Sequence, residues 1–198
     1  MVTAGILVGN AATASGLKAV MAEVHGMAQR GGVVTVELRI GDALGPIIPH
    51  GEVDLVLGFE AVETLRAMSR ASKDTMVIMN TERIIPTIVN LGDSTYPDVE
   101  VVVSRLRERG VKLYPIDAPK LAKAAGSALS SNVVLVGSAF STGLIPVGID
   151  CLRESLMRLF PMKSWEANLR ALELGMEEHM SFGRKDQCSP PSAPCAAD

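Results

Sequence analysis

Apolar residues along the chain fall into short runs of strand character separated by longer stretches of helical character. LKAVMAEV (17–24) reads as a strand, and VVTVELRI (33–40) alternates β-branched and polar residues as a half-buried strand does. VDLVLGFE (53–60) and TMVIMN (75–80) are nearly continuous apolar runs, the pattern of strands covered on both faces of a parallel sheet. VKLYPID (111–117) is a further short strand. Helical patterns occupy the other positions: the small-residue opening VTAGILVGNAATASG, ending near Gly16; AVETLRAMSRAS after Glu60; DVEVVVSRLRERG, stopped by Gly110; and APKLAKAAGS. SNVVLVGSAFSTGLIP fits helix or strand; helix is preferred, capped by Ser131 or Asn132, with Gly137, Ser138 and Ala139 permitting close packing. GIDCLRESLMRLFP and SWEANLRALELGMEEH complete the set as amphipathic helices. The order predicts one α/β domain with a mostly parallel sheet over residues 1–180 and a mobile tail at 181–198.

Composition removes several function classes. The chain has 198 residues, 47% of them hydrophobic and only 4% aromatic, enough for one full core. A net charge of −3 without a basic stripe argues against nucleic-acid binding. No apolar run reaches the roughly 18 residues of a membrane span, and no secretory signal is visible, so a cytoplasmic location is the default. Cys151, Cys188 and Cys195 form neither a disulfide framework nor a Cys-x-x-Cys pair, so no zinc or iron–sulfur cluster is expected on this chain alone.

Candidate chemistry concentrates in EVHGMAQRGG (23–32), which the strand reading delivers to a strand end, where α/β sheets bind ligands. Arg30 offers a planar fork of donors for a carboxylate or phosphate, or else pins the loop. Gly31 and Gly32 would let the backbone approach a ligand closely, and Gln29 stands beside them as a contact or a brace. His25 is a candidate proton carrier, against the plainer reading of a histidine that braces the loop or lines an interface. Glu23 is expected to brace the loop. Glu60 either caps the next helix or orients Arg30, and Asn80 and Thr81 end the following strand in a supporting role. Met21, Met27, Met76 and Met79 read as core or interface filler.

Together with VVTVELRIG, IPHGEVDLVLGFEAVETLR, MVIMNTERIIP, LAKAAGS, NVVLVGSAFSTGLIP and NLRALELG, the segment HGMAQRGG resembles the gamma-type domain of the 2-oxoacid:ferredoxin oxidoreductases over residues 1 to about 178. HGMAQRGG is fuller than the RGG core usual in the pyruvate and 2-oxoglutarate branches, so the arylpyruvate branch, acting on indolepyruvate, is favoured. The resemblance implies a single Rossmann-like domain serving as the small subunit of a complex. Such a complex decarboxylates a 2-oxoacid, transfers the acyl group to coenzyme A and passes electrons to ferredoxin. Thiamine diphosphate and the iron–sulfur clusters are then expected in the large alpha subunit, and Arg30, Gly31, Gly32 and Gln29 become candidate contacts for substrate or coenzyme A. Family members usually open with a strand and a G-x-G-G-Q-G turn ahead of the first helix, and both are missing here. The expectation is a natural product that starts upstream, which an intact mass from the source cell would test. Alternatives are a subunit for pyruvate, branched-chain or other 2-oxoacids, or a free-standing nucleotide- or coenzyme A-binding module. The last lacks a glycine fingerprint with its following acid.

Overall fold

The computed structural model describes residues 1–25, 34–82 and 97–186. Its first helix, α1 (Val2–Ala14), is rich in small residues because it is packed from two sides. On one side Gly5 faces β1 (Ala19–His25) and β2 (Val34–Ile40), where an added Cβ would come within 2.8 Å of Val36 and 2.9 Å of the Met21 sulfur. On the other, Ser155 in α6 (Ile149–Leu159) donates to the Leu7 carbonyl at 2.9 Å.

A parallel sheet of three strands forms the centre, in the order β3 (Val53–Gly58), β4 (Ala71–Asn80), β5 (Lys112–Ile116). Strand alternation divides the core between its faces. Ile78, Tyr114 and Ile116 join the larger cluster with α1, α4 (Ala118–Ala124), α5 (Ser131–Phe140), α6 and α7 (Trp165–Asp186). Val77 and Met79 point the other way, onto α2 (Ala61–Ala67) and α3 (Val99–Glu108) through Met68, Val102 and Leu106. The result is a three-layer α/β/α arrangement of the Rossmann type.

β1 and β2 do not join that sheet. They pair antiparallel, from Ala19 opposite Ile40 to His25 opposite Val34, and form a two-stranded sheet of their own. The polar stretch after His25 therefore links the arms of a hairpin rather than leaving the rim of the parallel sheet, where the sequence reading places it. Residues 26–33 are too few for a parallel crossover, which takes a dozen or so.

Several boundaries shift for local reasons. The helix expected from Ala61 to Ser72 stops at Ala67, and β4 begins at Ala71, where Thr75 accepts from the Ser72 N–H at 2.8 Å and donates to the Val53 carbonyl at 2.7 Å. Segment 131–140 is helical, as preferred, but neither Ser131 nor Asn132 caps it. A 3-10 turn, Ala128–Ser130, feeds directly into α5, Ser127 accepts from the Leu129 N–H, and the Ser131 hydroxyl donates back to the Ala128 carbonyl. The expected close packing is present and reciprocal: a Cβ at Gly137 would overlap the Leu172 carbonyl, and one at Gly175 would overlap the Val134 carbonyl. Finally, α7 runs through Ser181 to Asp186, beyond the point where the sequence places the start of the tail, with Phe182 packed against the core.

Candidate functional site

Two places carry the polar residues singled out in the sequence. The first is the end of the hairpin where His25 faces Val34, next to the connecting segment. Glu23 and His25 project from the same face of β1, two residues apart, and His25 Nε2 lies 3.1 Å from Glu23 Oε2. The His25 side chain is 57% exposed, so the pair contributes little to stability and leaves the imidazole accessible. Gly5 stands over Val36 and Gly9 over Leu38, so α1 runs antiparallel to β1 and its first turn lies toward this end. Met21 packs beneath Gly5 as filler. Met27, Gln29, Arg30, Gly31 and Gly32 lie outside the described residues.

The second place is the carboxyl rim of the parallel sheet, where Glu60, Asn80 and Thr81 come together. Glu60 caps α2, its carboxylate accepting from the Val62 N–H at 3.0 Å and the Glu63 N–H at 2.9 Å. The capping role is thus present, while Arg30, on which the other reading depends, lies outside the described residues. Burial pushes the Glu63 carboxyl above its ordinary range, with Arg66 opposing and Glu60 reinforcing the shift. Asn80, 3% exposed, donates from Nδ2 to the Phe59 carbonyl at 3.2 Å, and its Oδ1 accepts from the Glu82 and Ala118 N–H groups, each at 3.3 Å. One side chain thereby ties the end of β3, the exit from β4 and the start of α4. Thr81 adds bonds from its N–H (2.9 Å) and hydroxyl (3.3 Å) to the Ile116 carbonyl.

Four residues not singled out in the sequence join Thr81 around an open cleft of about 430 Å³: Glu82, Asp117, Lys120 and Lys123, with Pro119 at its wall. Asp117 accepts from the Lys120 N–H at 3.0 Å and starts α4, so the two lysines project one turn apart on the same helix. The available signal was an aspartate ending a strand with lysines three and six residues on. In the sequence it is indistinguishable from a solvated helix start. The arrangement can attract an anion but surrounds it with carboxylates as well.

A third charged group is architectural. Glu37, 8% exposed on β2, accepts from the Ile48 N–H at 2.6 Å and pairs with Arg70 at 3.3 Å, anchoring the segment after β2. Among the described residues no group of three or more His, Cys, Asp or Glu is placed to hold a metal, and no helix is long and apolar enough to cross a membrane.

Against known proteins, residues 1–178 match the family model for pyruvate ferredoxin/flavodoxin oxidoreductase. The chain is 40% identical to indolepyruvate oxidoreductase subunit IorB of Archaeoglobus fulgidus over 91% of this chain and 90% of that protein. It is 38% identical to the subunit of the same name from Methanothermobacter thermautotrophicus, over 88% and 89%. Its fold is similar to the gamma subunit of a keto/oxoacid ferredoxin oxidoreductase from Geobacter sulfurreducens, with a TM-score of 0.64 over 90% of each chain at 17% identity. With both the sequence match and the α/β/α architecture running nearly end to end, the chain belongs to the pyruvate ferredoxin/flavodoxin oxidoreductase family.

Proposed function

We propose that this chain is the small subunit of an indolepyruvate ferredoxin oxidoreductase. The observation that carries the reading is the 40% identity, sustained over nine-tenths of both chains, to a protein named for that substrate. The complex oxidises an aryl 2-oxoacid with coenzyme A to the aryl-acetyl-CoA and carbon dioxide, two electrons passing to ferredoxin. Thiamine diphosphate and the iron–sulfur clusters, held by the large alpha subunit, supply the decarboxylation and electron transfer. That assignment agrees with a chain whose three cysteines, Cys151, Cys188 and Cys195, form no Cys-x-x-Cys pair.

The small subunit's own contribution is binding and positioning. Arg30, with Gly31, Gly32 and Gln29, contacts the anionic part of coenzyme A or of the substrate, the guanidinium supplying the fixed charge and the glycines the close backbone approach. His25, exposed at the foot of the same stretch and paired with Glu23, is available to line the shared site. Glu60, Asn80 and Thr81 support the site indirectly, by fixing the rim of the sheet. The test is reconstitution. Co-expressed with the large subunit, this chain should be required for coenzyme A-dependent dye reduction with indolepyruvate, in preference to pyruvate or branched-chain 2-oxoacids. A large subunit fully active by itself would overturn the reading.

A further inference from the structure

Two buried polar atoms at the last turns of α7 serve nothing described so far. Tyr114, 2% exposed on β5, makes crossed ring contacts with His179, centroids 4.9 Å apart, and with Phe182, 4.6 Å apart. The Tyr114 hydroxyl and the His179 Nδ1 are both sealed from solvent, and neither has a hydrogen-bond partner among the described residues. Such atoms are nearly always paired, so two in one contact require an account.

The neutral residues had a bond open to them, with the phenol donating to the Nδ1 lone pair. It is not formed, so the crossed rings keep those atoms apart. A neutral imidazole tolerates the place with its proton on Nε2. A protonated ring would turn a second N–H and a positive charge toward a space without an acceptor, a much larger penalty. α5, which packs against α7 through the Ser138–Gly175 hydrogen bond, has no ionisable residue between Ser131 and Phe140. On the sheet face of Tyr114 the ionisable side chains are Lys112 on β5 and, at the foot of β4, Asp74, two residues before the Met76 that pairs with Lys112. On α7 itself, Glu178 acts on the phenol, which burial first and that carboxylate second push above its ordinary range. Burial alone holds the imidazole below its ordinary value.

We infer that the His179–Tyr114 contact is an acid-released catch: neutral, His179 seats the end of α7 on β5, and protonated, it lets residues from His179 to Asp186 leave the sheet. In the released state the ring regains its ordinary pKa of about 6.5, so below that pH the released state binds the proton more readily. Seating is therefore complete above about pH 6.5. It weakens as pH falls toward the lower pKa of the seated ring, by up to about tenfold per pH unit.

Hydrogen exchange of the full chain at about pH 7.5 and about pH 5.5, corrected for intrinsic rates, tests the catch across the imidazole range. Amides in the last turns of α7 should lose protection at the lower pH, by up to about tenfold, while those of α5 keep theirs. His179→Phe retains the ring contact without the nitrogen and should keep the same protection at both values. Equal protection of the native chain at both pH values, or an equally acid-sensitive His179→Phe, overturns the inference. Should that variant not fold, nitrogen-15 NMR of the native histidine decides. A titration midpoint below about 6.5 is expected, and one at or above it excludes the catch.

Discussion

The rim of the parallel sheet and the loop end of the hairpin carry the same kinds of residue, yet spend them differently. At the rim, every functional group of Asn80 is committed to backbone atoms, and the Glu60 carboxylate holds the first N–H groups of α2. At the hairpin, Glu23 and His25 pair with one another among the described residues, across an exposed surface. A polar side chain whose bonds are all made to its own fold braces that fold, whereas one left in solvent retains its bonding capacity for another molecule. The first set is thereby architectural, and the second is the one whose groups stay exposed.

Substitutions can break this division, beginning with the largest effect. Asn80→Ala should cost about 3 kcal/mol in urea unfolding, because it strands one buried carbonyl and two N–H groups. Arg30→Ala should lower kcat/KM of the reconstituted complex by about tenfold or more, the worth of hydrogen bonds to a charged group, with the urea midpoint unchanged. If activity and midpoint fell together, Arg30 would belong with the braces. Glu60→Ala should lower stability by about 1 kcal/mol through loss of the helix cap, with activity per folded molecule retained. His25→Ala, the mildest, should shift stability by less than about 0.5 kcal/mol. A change larger than that of Glu60→Ala would remove the distinction between the two regions.

The strands from β2 to β5 and the helices after them were legible because burial writes itself into sequence as period and run length. The helical choice at Ser131–Phe140 rested on Gly137, Ser138 and Ala139, and Gly137 and Ser138 do pack against α7. What alternation cannot encode is pairing. Val34–Ile40 would read the same beside a parallel or an antiparallel neighbour, and only the shortness of the link to His25 chooses. The bracing role of Asn80 depends on Phe59 and Ala118, far away along the chain, so its type was visible but its partners were not. Lys120 and Lys123 look like ordinary solvated helix charges until the fold places Glu82 and Thr81 opposite them. His179 sits in a run that reads as an exposed helix end, and only the extension of α7 over Tyr114 covers its Nδ1.

The reciprocal glycines of α5 and α7 limit how this protein can change. At Gly137 and at Gly175 the obstacle to a side chain is a peptide group of the opposite helix, which no substitution can shorten. A harmful replacement at either position therefore has no compensating partner residue to evolve. It could be rescued only by sliding one whole helix along the other, against everything else those helices touch.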